Sequence, residues 1–508
     1  MLQIRHLMIH STLVLTLSLC GGSVNAEQIL IQQARLIQGD SPTASMPMDV
    51  LLEKGKIVAI ASNLSRKTRM GVRLIDGKGQ FLIPGLVDSH VHLEGIPGYM
   101  GKRAEDQMML EQAFQQMPRS YAYFGFTTVQ DLTGDPRFIA EWNSAPAGPQ
   151  AHYCSPVTIP NGYPASWMDK ELQFQVPGTK YMLFDPAQAQ VYPTHFHPEA
   201  HTPEAVVRAA KQDGARCIKV FYETGFGPKK DLPVPSVELI QAVVKHAKLL
   251  KLPVYLHGNS QAAYEFALKT GVTTLVHGLW HETKLANQIA NQTRLQEIAE
   301  EIARAGIAVQ PTIQVLYGEQ EMTNPNFFQH PELANVMPAE LLDWYQTPAG
   351  QKMAQLIAAD FDPANQTPAS LYKTVQSRYQ PALTIVKKMT AALNRQGAKI
   401  VFGSDTPSGP FYTQFPGVNG RWEMDRWLEA GMSLSQLFKA LTIENARAMD
   451  LEDTIGSIAV GKQADLLLLR ANPLETLAAY DQISYVILRG KAHQRESLSA
   501  KSIGKSNH

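Results

Sequence analysis

Apolar positions follow two different rhythms along this chain. Near the start, the short runs ILIQQARLIQG and MDVLLEKGKIVAIA are separated by turn residues, with a turn at Lys54-Gly55-Lys56. GVRLIDGKGQFLIPG continues that rhythm through a turn at Asp76-Gly77, and GSIAVGKQADLLLL and ISYVILRG repeat it near the far end. Runs bounded in this way predict strands. Neither group makes a stable sheet alone, so the two ends together predict one small β-domain, residues 27–80 plus 451–492. The polar residues from Lys491 onward predict fraying, with 493–508 a flexible tail.

Between the ends, apolar strands alternate with helical patterns, which predicts a parallel α/β architecture over residues 81–450. The strand candidates are LVDSHVH, GFTTVQDL, AHYCSPV, RCIKVFY, PVYLHG, TTLVHG, IAVQPTI and KIVFGSD. Eight of them favour a closed barrel over an open sheet. TPEAVVRAAKQDG, VELIQAVVKHAKLLK, QAAYEFALKTG and LQEIAEEIARAG supply helices between them. Two connections, 158–203 and 318–397, are long, and the proximal part of the second is a candidate lid.

The first 26 residues do not fit either rhythm. Arg5, His6 and His10 precede the apolar stretch STLVLTLSLCGG, and Val24 and Ala26 meet the small-residue rule for leader cleavage. This predicts a signal peptide, 1–26, cut after Ala26, and a periplasmic or secreted protein. The stretch is short for a membrane span; an uncleaved anchor is the alternative, and no span is expected once the leader is gone. Composition adds exclusions: 46 basic and 46 acidic residues among 508 give no basic excess for nucleic acid. Cys20 lies in the leader, and Cys154 and Cys217 are too few for a disulfide framework, so both are expected unpaired, although an extracytoplasmic location permits a bond. A small molecule or short peptide is the expected partner, with self-association into a homo-oligomer left open.

The chemistry lies at the strand ends. Strand one closes on Asp88-Ser89-His90-Val91-His92, where strict alternation puts Asp88, His90 and His92 on one face. Strand four carries Lys219 within an apolar run, where a lysine costs several kcal/mol unless paired or neutralised. Strands five and six end in His257-Gly258 and His277-Gly278, and strand eight in GSDTP with Asp405. The carboxyl ends of barrel strands form the active face, so four imidazoles, a carboxylate and an amine converge there. Each alone has a bland reading, a satisfied core histidine or a helix cap. Imidazole with carboxylate suits zinc or another divalent transition metal.

With these residues in place the chain resembles the metal-dependent amidohydrolase superfamily, in its imidazolonepropionase-like and dipeptidase-like branch. The resemblance is carried by DVLLEKGKIVAI, IPGLVDSHVH, GFTTVQDL, IKV, LHG, VHG, FGSDTP, TIENARAMDLEDTIGSIAVGKQADLLLL and NPL, and covers nearly the whole mature chain. It implies a distorted (β/α)₈ TIM barrel with a composite β-sandwich. It implies that His90 and His92 hold one metal with Asp405, that His257 and His277 hold a second, and that Lys219 bridges both as an N-carboxylate. A single-metal site with unmodified Lys219 is the competing arrangement. The implied activity is hydrolysis of an amide-type C–N bond, in a dipeptide or cyclic amide. Two Zn²⁺ would acidify a shared water, and Asp405 would carry the proton to the leaving nitrogen. Deamination, ring opening or ester hydrolysis on the same site, and a non-catalytic metal-binding protein, are the rivals.

Several further residues carry alternatives. His195, His197 and His201 repeat a His-x-His pattern in a proline-rich connection, where a surface loop is the expectation. Tyr163 stands in IPNGYPASW, where many relatives have a histidine. Tyr222 fits substrate orientation or packing, and His281 an outer support or a surface position. Glu94 and Asp131 read as capping or loop residues, and Asp88 as a support from behind.

Overall fold

The computed structural model describes residues 28–64, 71–99, 101, 103–176, 179–225, 230–281 and 289–502. The expected signal peptide and residues 503–508 of the expected tail lie outside the described residues.

Both ends of the chain meet in one eight-stranded mixed sheet. The N-terminal part supplies β1 (Ile29–Ile37), β2 (Ala44–Glu53), β3 (Lys56–Ala61), β4 (Arg73–Asp76) and β5 (Phe81–Pro84). The barrel strands β6 to β12 intervene, and β13 (Leu466–Leu469), β14 (Ile483–Leu488) and β15 (Lys491–Gln494) complete the sheet. The order is β15-β14-β13-β5-β1-β2-β3, with β4 beside β1. Lys54 and Gly55, at φ 51° and 76°, make the tight turn between β2 and β3. A core of its own, including Ile31, Val50, Ile75, Leu466 and Ile487, sits within this unit. Two expected edges move. The sheet takes in β5, to Pro84, beyond residue 80. The tail expected to fray pairs instead, Val486 with His493 and Tyr485 with Gln494, because β14 would otherwise present an open edge. Arg495 lies over the Tyr123 ring, 4.0 Å from its centroid, and donates to the Tyr123 carbonyl.

The second sheet is parallel, in the order β12-β11-β10-β9-β8-β7-β6. Its strands are β6 (Leu86–Val91), β7 (Phe126–Asp131), β8 (Gln150–Pro156), β9 (Cys217–Phe221), β10 (Val254–His257), β11 (Thr274–Val276) and β12 (Ala308–Gln310). Amphipathic helices return between them, among them Pro203–Gln212, Val237–Leu249 and Gln261–Thr270, capped by Thr202, Ser236 and Ser260. The eighth strand expected at KIVFGSD does not form as a regular ladder. Residues 399–406 nevertheless close the barrel: Val401 N–H donates to Val309 O, and Ser89 N–H to Phe402 O. Asp405 N–H then donates to His90 O, and His92 N–H to Thr406 O. Asp405 has φ 56°, outside the β region, and that breaks the ladder. Gly403 is needed there, since a Cβ would come within 2.6 Å of the His90 Cβ. The result is a distorted barrel with one irregular stave.

Cys154 and Cys217, expected unpaired, form a disulfide between β8 and β9. The two residues are direct register partners and buried. Nothing in a residue count reveals that pairing, because it depends on which strands are neighbours. Among the described residues no helix is long and apolar enough to cross a membrane. In the connection 318–397, the helix Pro368–Arg395 occupies the distal third. The proximal part packs on the 97–99 segment, with Trp344 against Tyr99 at 4.9 Å.

Candidate metal centre

His90 is the fifth residue of β6, and His92 follows the end of that strand. The register between β6 and β7 slips between Asp88 and Val91, and Asp88 is not among the clustered donors, contrary to strict alternation. Its Oδ1 instead accepts the backbone N–H groups of His90 (3.2 Å) and Ser404 (3.0 Å). The two imidazoles reach across to the irregular stave. His90 Nε2 lies 2.9 Å and His92 Nε2 3.0 Å from Asp405 Oδ1. Donor atoms of these three residues all lie within 4.8 Å of one another. His277, at the end of β11 with φ 86°, brings Nδ1 to 3.8 Å from Asp405 Oδ2. Non-glycine residues are held at positive φ only where the surroundings enforce it, commonly at functional sites.

His257 ends β10, its ring 4.6 Å from that of His277. Lys219 lies inside β9, 2% exposed, and its Nζ has no hydrogen-bond partner among the described residues. Five of the six expected residues therefore lie at or near the carboxyl ends of their strands, with Lys219 inside β9. His90, His92 and Asp405 form the tight group, with His277 beside it, His257 beside His277, and Lys219 in their electrostatic reach.

Burial sets the protonation states. It pushes His90 down to about 3 and Lys219 down to about 7, in both cases against the pull of Asp405. His277 is held well below the usual range and His257 is lowered, both by burial. Burial also lowers His92, but the hydrogen bond and charge of Asp405 outweigh it, so its pKa is raised. For Asp405, burial acts upward, and the imidazoles of His90, His92 and His277 more than reverse it. Burial thus favours neutral imidazole at His90, His257 and His277 and lowers the Lys219 amine, while Asp405 stays ionised and His92 is shifted the other way. A carboxylate with neutral imidazoles is the donor form that binds a cation.

Three of the four rings are held from outside. Thr133 Oγ1 meets His92 Nδ1 at 2.8 Å, and Thr312 Oγ1 meets His277 Nδ1 at 3.0 Å. Glu223 Oε2 lies 3.3 Å from His257 Nε2. The sequence reading missed these three. The signal available for them was a polar residue just past a strand's carboxyl end. Tyr163 stacks on His257 at 4.6 Å and meets Phe221 edge-on.

The remaining candidates fall into supporting places. Asp131 accepts the N–H groups of Leu93 and Thr133, and Glu94 that of Asp135. Tyr222 packs against Phe266 at 4.8 Å. His201 stacks on Phe196 and bonds the Met182 carbonyl, while His197 pairs with Glu199 at the surface. His195 lies in the same loop, and His281 is exposed, with its charge felt at Glu223.

Residues 81–493 match the model of a family described as "Amidohydrolase family". The chain is 51% identical over 55 residues to a dihydroorotase of Carboxydothermus hydrogenoformans, covering 11% of this chain and 12% of that one. It is 35% identical over 75 residues to adenine deaminase 1 of Latilactobacillus sakei, 15% and 12% of the two chains. The chain thus matches only about an eighth of the length of these relatives. Among solved structures, a Xaa-Pro dipeptidase with bound methionine superposes with a TM-score of 0.61 at 21% identity, covering 92% of this chain and 100% of that one. Ochratoxinase of A. niger gives 0.61 at 18% identity, 92% and 96% covered. At these identities the likeness is one of fold.

Proposed function

The chain belongs to the amidohydrolase family, and from that premise we propose that it is an exported metal-dependent hydrolase that cleaves an amide-type C–N bond in a small substrate. The observation that carries this is the meeting of two imidazoles and a carboxylate around one point, with an orphaned buried amine close by. Four acceptor-competent imidazoles and a carboxylate fit divalent zinc by donor type. His90, His92 and Asp405 would hold one ion, and His257 and His277 the other. Lys219 would serve both ions as an N-carboxylate: burial lowers its amine to about 7, which supplies the neutral form that takes up CO₂, and the product would be an anion where a cation would repel the metals. Divalent ions held there would supply an acidified water and polarise the scissile carbonyl.

The protein's own part is proton handling and orientation. Asp405, held ionised among imidazoles, accepts the water proton and returns it to the departing nitrogen. Thr133, Thr312 and Glu223 keep the imidazole planes turned toward the centre. Tyr163 covers the His257 side and narrows the space left to the substrate.

Export is supported by the disulfide, because a bond of this kind persists in oxidising compartments and is rare in reducing ones. N-terminal sequencing of the secreted or periplasmic protein should begin near Glu27; a chain starting at Met1 and held in the membrane counts against a cleaved leader.

Metal analysis and a substrate panel test the proposal together. Purified protein should carry close to two divalent ions per chain, and chelation should abolish turnover. Dipeptides, cyclic amides and aminated heterocycles belong in the panel, since relatives named dihydroorotase, L-hydantoinase and adenine deaminase match locally. Active protein without bound metal ends the proposal. Release of ammonia from heterocycles alone, with no amide cleaved, replaces amide hydrolysis by deamination.

A further inference from the structure

Three imidazoles of the centre have an outer partner, and one of these partners differs in kind. His92 and His277 each use Nδ1, and each meets a threonine hydroxyl. His257 uses Nε2, and meets a carboxylate. Glu223 lies two residues beyond the end of β9, the strand that carries Lys219. It is 3% exposed, its Oε1 accepts the Gly225 N–H at 2.7 Å, and its Oε2 is the oxygen facing His257. Both oxygens are thus engaged, so the carboxylate is fixed in place rather than poised for a passing substrate.

A carboxylate can only accept. The His257 Nε2 must then carry the proton, and the ring's lone pair is on Nδ1. A threonine hydroxyl imposes no such choice, because it can donate or accept. A carboxylate behind a ligating imidazole also makes the ring a stronger donor.

Resting on the two-ion reading above, we infer that Glu223 is a positioning residue that fixes the His257 tautomer with its lone pair on Nδ1, and so sets the affinity of the second ion selectively. Glu223 does not touch substrate in this assignment. Its reach is one ion, since His90, His92 and Asp405 sit on other staves and both Glu223 oxygens are taken by Gly225 and His257.

Zinc titration of metal-stripped full-length protein, followed by calorimetry, reads this directly. Wild-type protein should take two equivalents. Glu223→Ala should bind one equivalent as before and the other about 10–100-fold more weakly, the usual cost of removing such a partner. Glu223→Gln keeps a carbonyl oxygen to accept the Nε2 proton and should recover part of that loss. It also keeps the shape, so the comparison stands if the alanine variant does not fold. Two equivalents with unchanged constants in both variants overturn the inference and leave the two-ion reading intact. Equal weakening of both ions in Glu223→Gln indicates a general loosening and also overturns it. A wild-type protein that takes only one equivalent overturns the two-ion reading and this inference together.

Discussion

Asp88 Oδ1 accepts the backbone N–H of Ser404 at 3.0 Å, and this bond ties the strand bearing His90 to the stave bearing Asp405. The same oxygen accepts the His90 N–H. One buried carboxylate thereby sets the spacing across which two imidazoles and Asp405 meet. Asp88→Ala leaves two buried backbone donors unsatisfied, at about 1–3 kcal/mol each. The variant should unfold at lower denaturant concentration and retain less metal after dialysis. Unchanged stability and metal content would show that the tie is dispensable.

Asp405 is assigned both metal contact and proton transfer. Asn is nearly isosteric and keeps one oxygen, yet cannot take the proton. Asp405→Asn should lower turnover on the order of 10²–10⁴-fold, with substrate affinity changed far less. Metal retained with turnover within a few-fold of the parent would move the proton shuttle to another residue.

Lys219 is the buried amine without a hydrogen-bond partner. Lys219→Ala should remove the bridge and most activity, and a short carboxylic acid in the buffer should restore part of both. Full activity and two ions without any additive would refute the bridging role.

The Cys154–Cys217 bond closes a loop of sequence separation 63, a length for which chain entropy alone makes a crosslink worth about 4 kcal/mol. Cys154→Ala should lower stability by roughly that amount, measured by denaturant unfolding. The mature wild-type chain, denatured without reductant, should show no free thiol, and two after reduction.

Glu423 gives stability a pH dependence away from the metal centre. It is buried and accepts the Gln314 N–H and the Trp427 Nε1–H, and burial pushes its pKa up from 4.5 to about 8. The folded protein therefore holds a proton that the unfolded chain releases. The resulting stabilisation is fully present below about pH 4.5 and is lost as pH rises toward 8, by at most about 1.4 kcal/mol per unit. Glu423→Gln should flatten that slope in melts between pH 5 and 8. Its amide nitrogen also faces the Trp427 donor, so the absolute stability should fall. A slope identical to that of the parent would mean that Glu423 stays ionised in the fold.

What the chain determined by itself is the set of chemistries and the order in which they arrive. His90, His92, Lys219, His257, His277 and Asp405 were legible because each ends or interrupts an apolar strand, where a polar side chain is costly without a purpose. The two β-rich ends were legible because period-two runs need partners. The tertiary structure decided everything that depends on neighbours. Cys154 and Cys217 join because β8 and β9 happen to align those positions, 63 residues apart in sequence. Asp88 is engaged by the backbone N–H groups of His90 and Ser404 instead of joining the donor group, which no alternation rule foresees. The eighth stave gives up its ladder so that Asp405 can sit at φ 56° and face two imidazoles. The supports Thr133, Thr312 and Glu223 lie in connections just past strand ends with no periodic signal, and become meaningful only when folding brings them to a ring nitrogen. Strand patterns are written in local hydrophobicity, whereas hydrogen bonds between staves depend on the closed barrel.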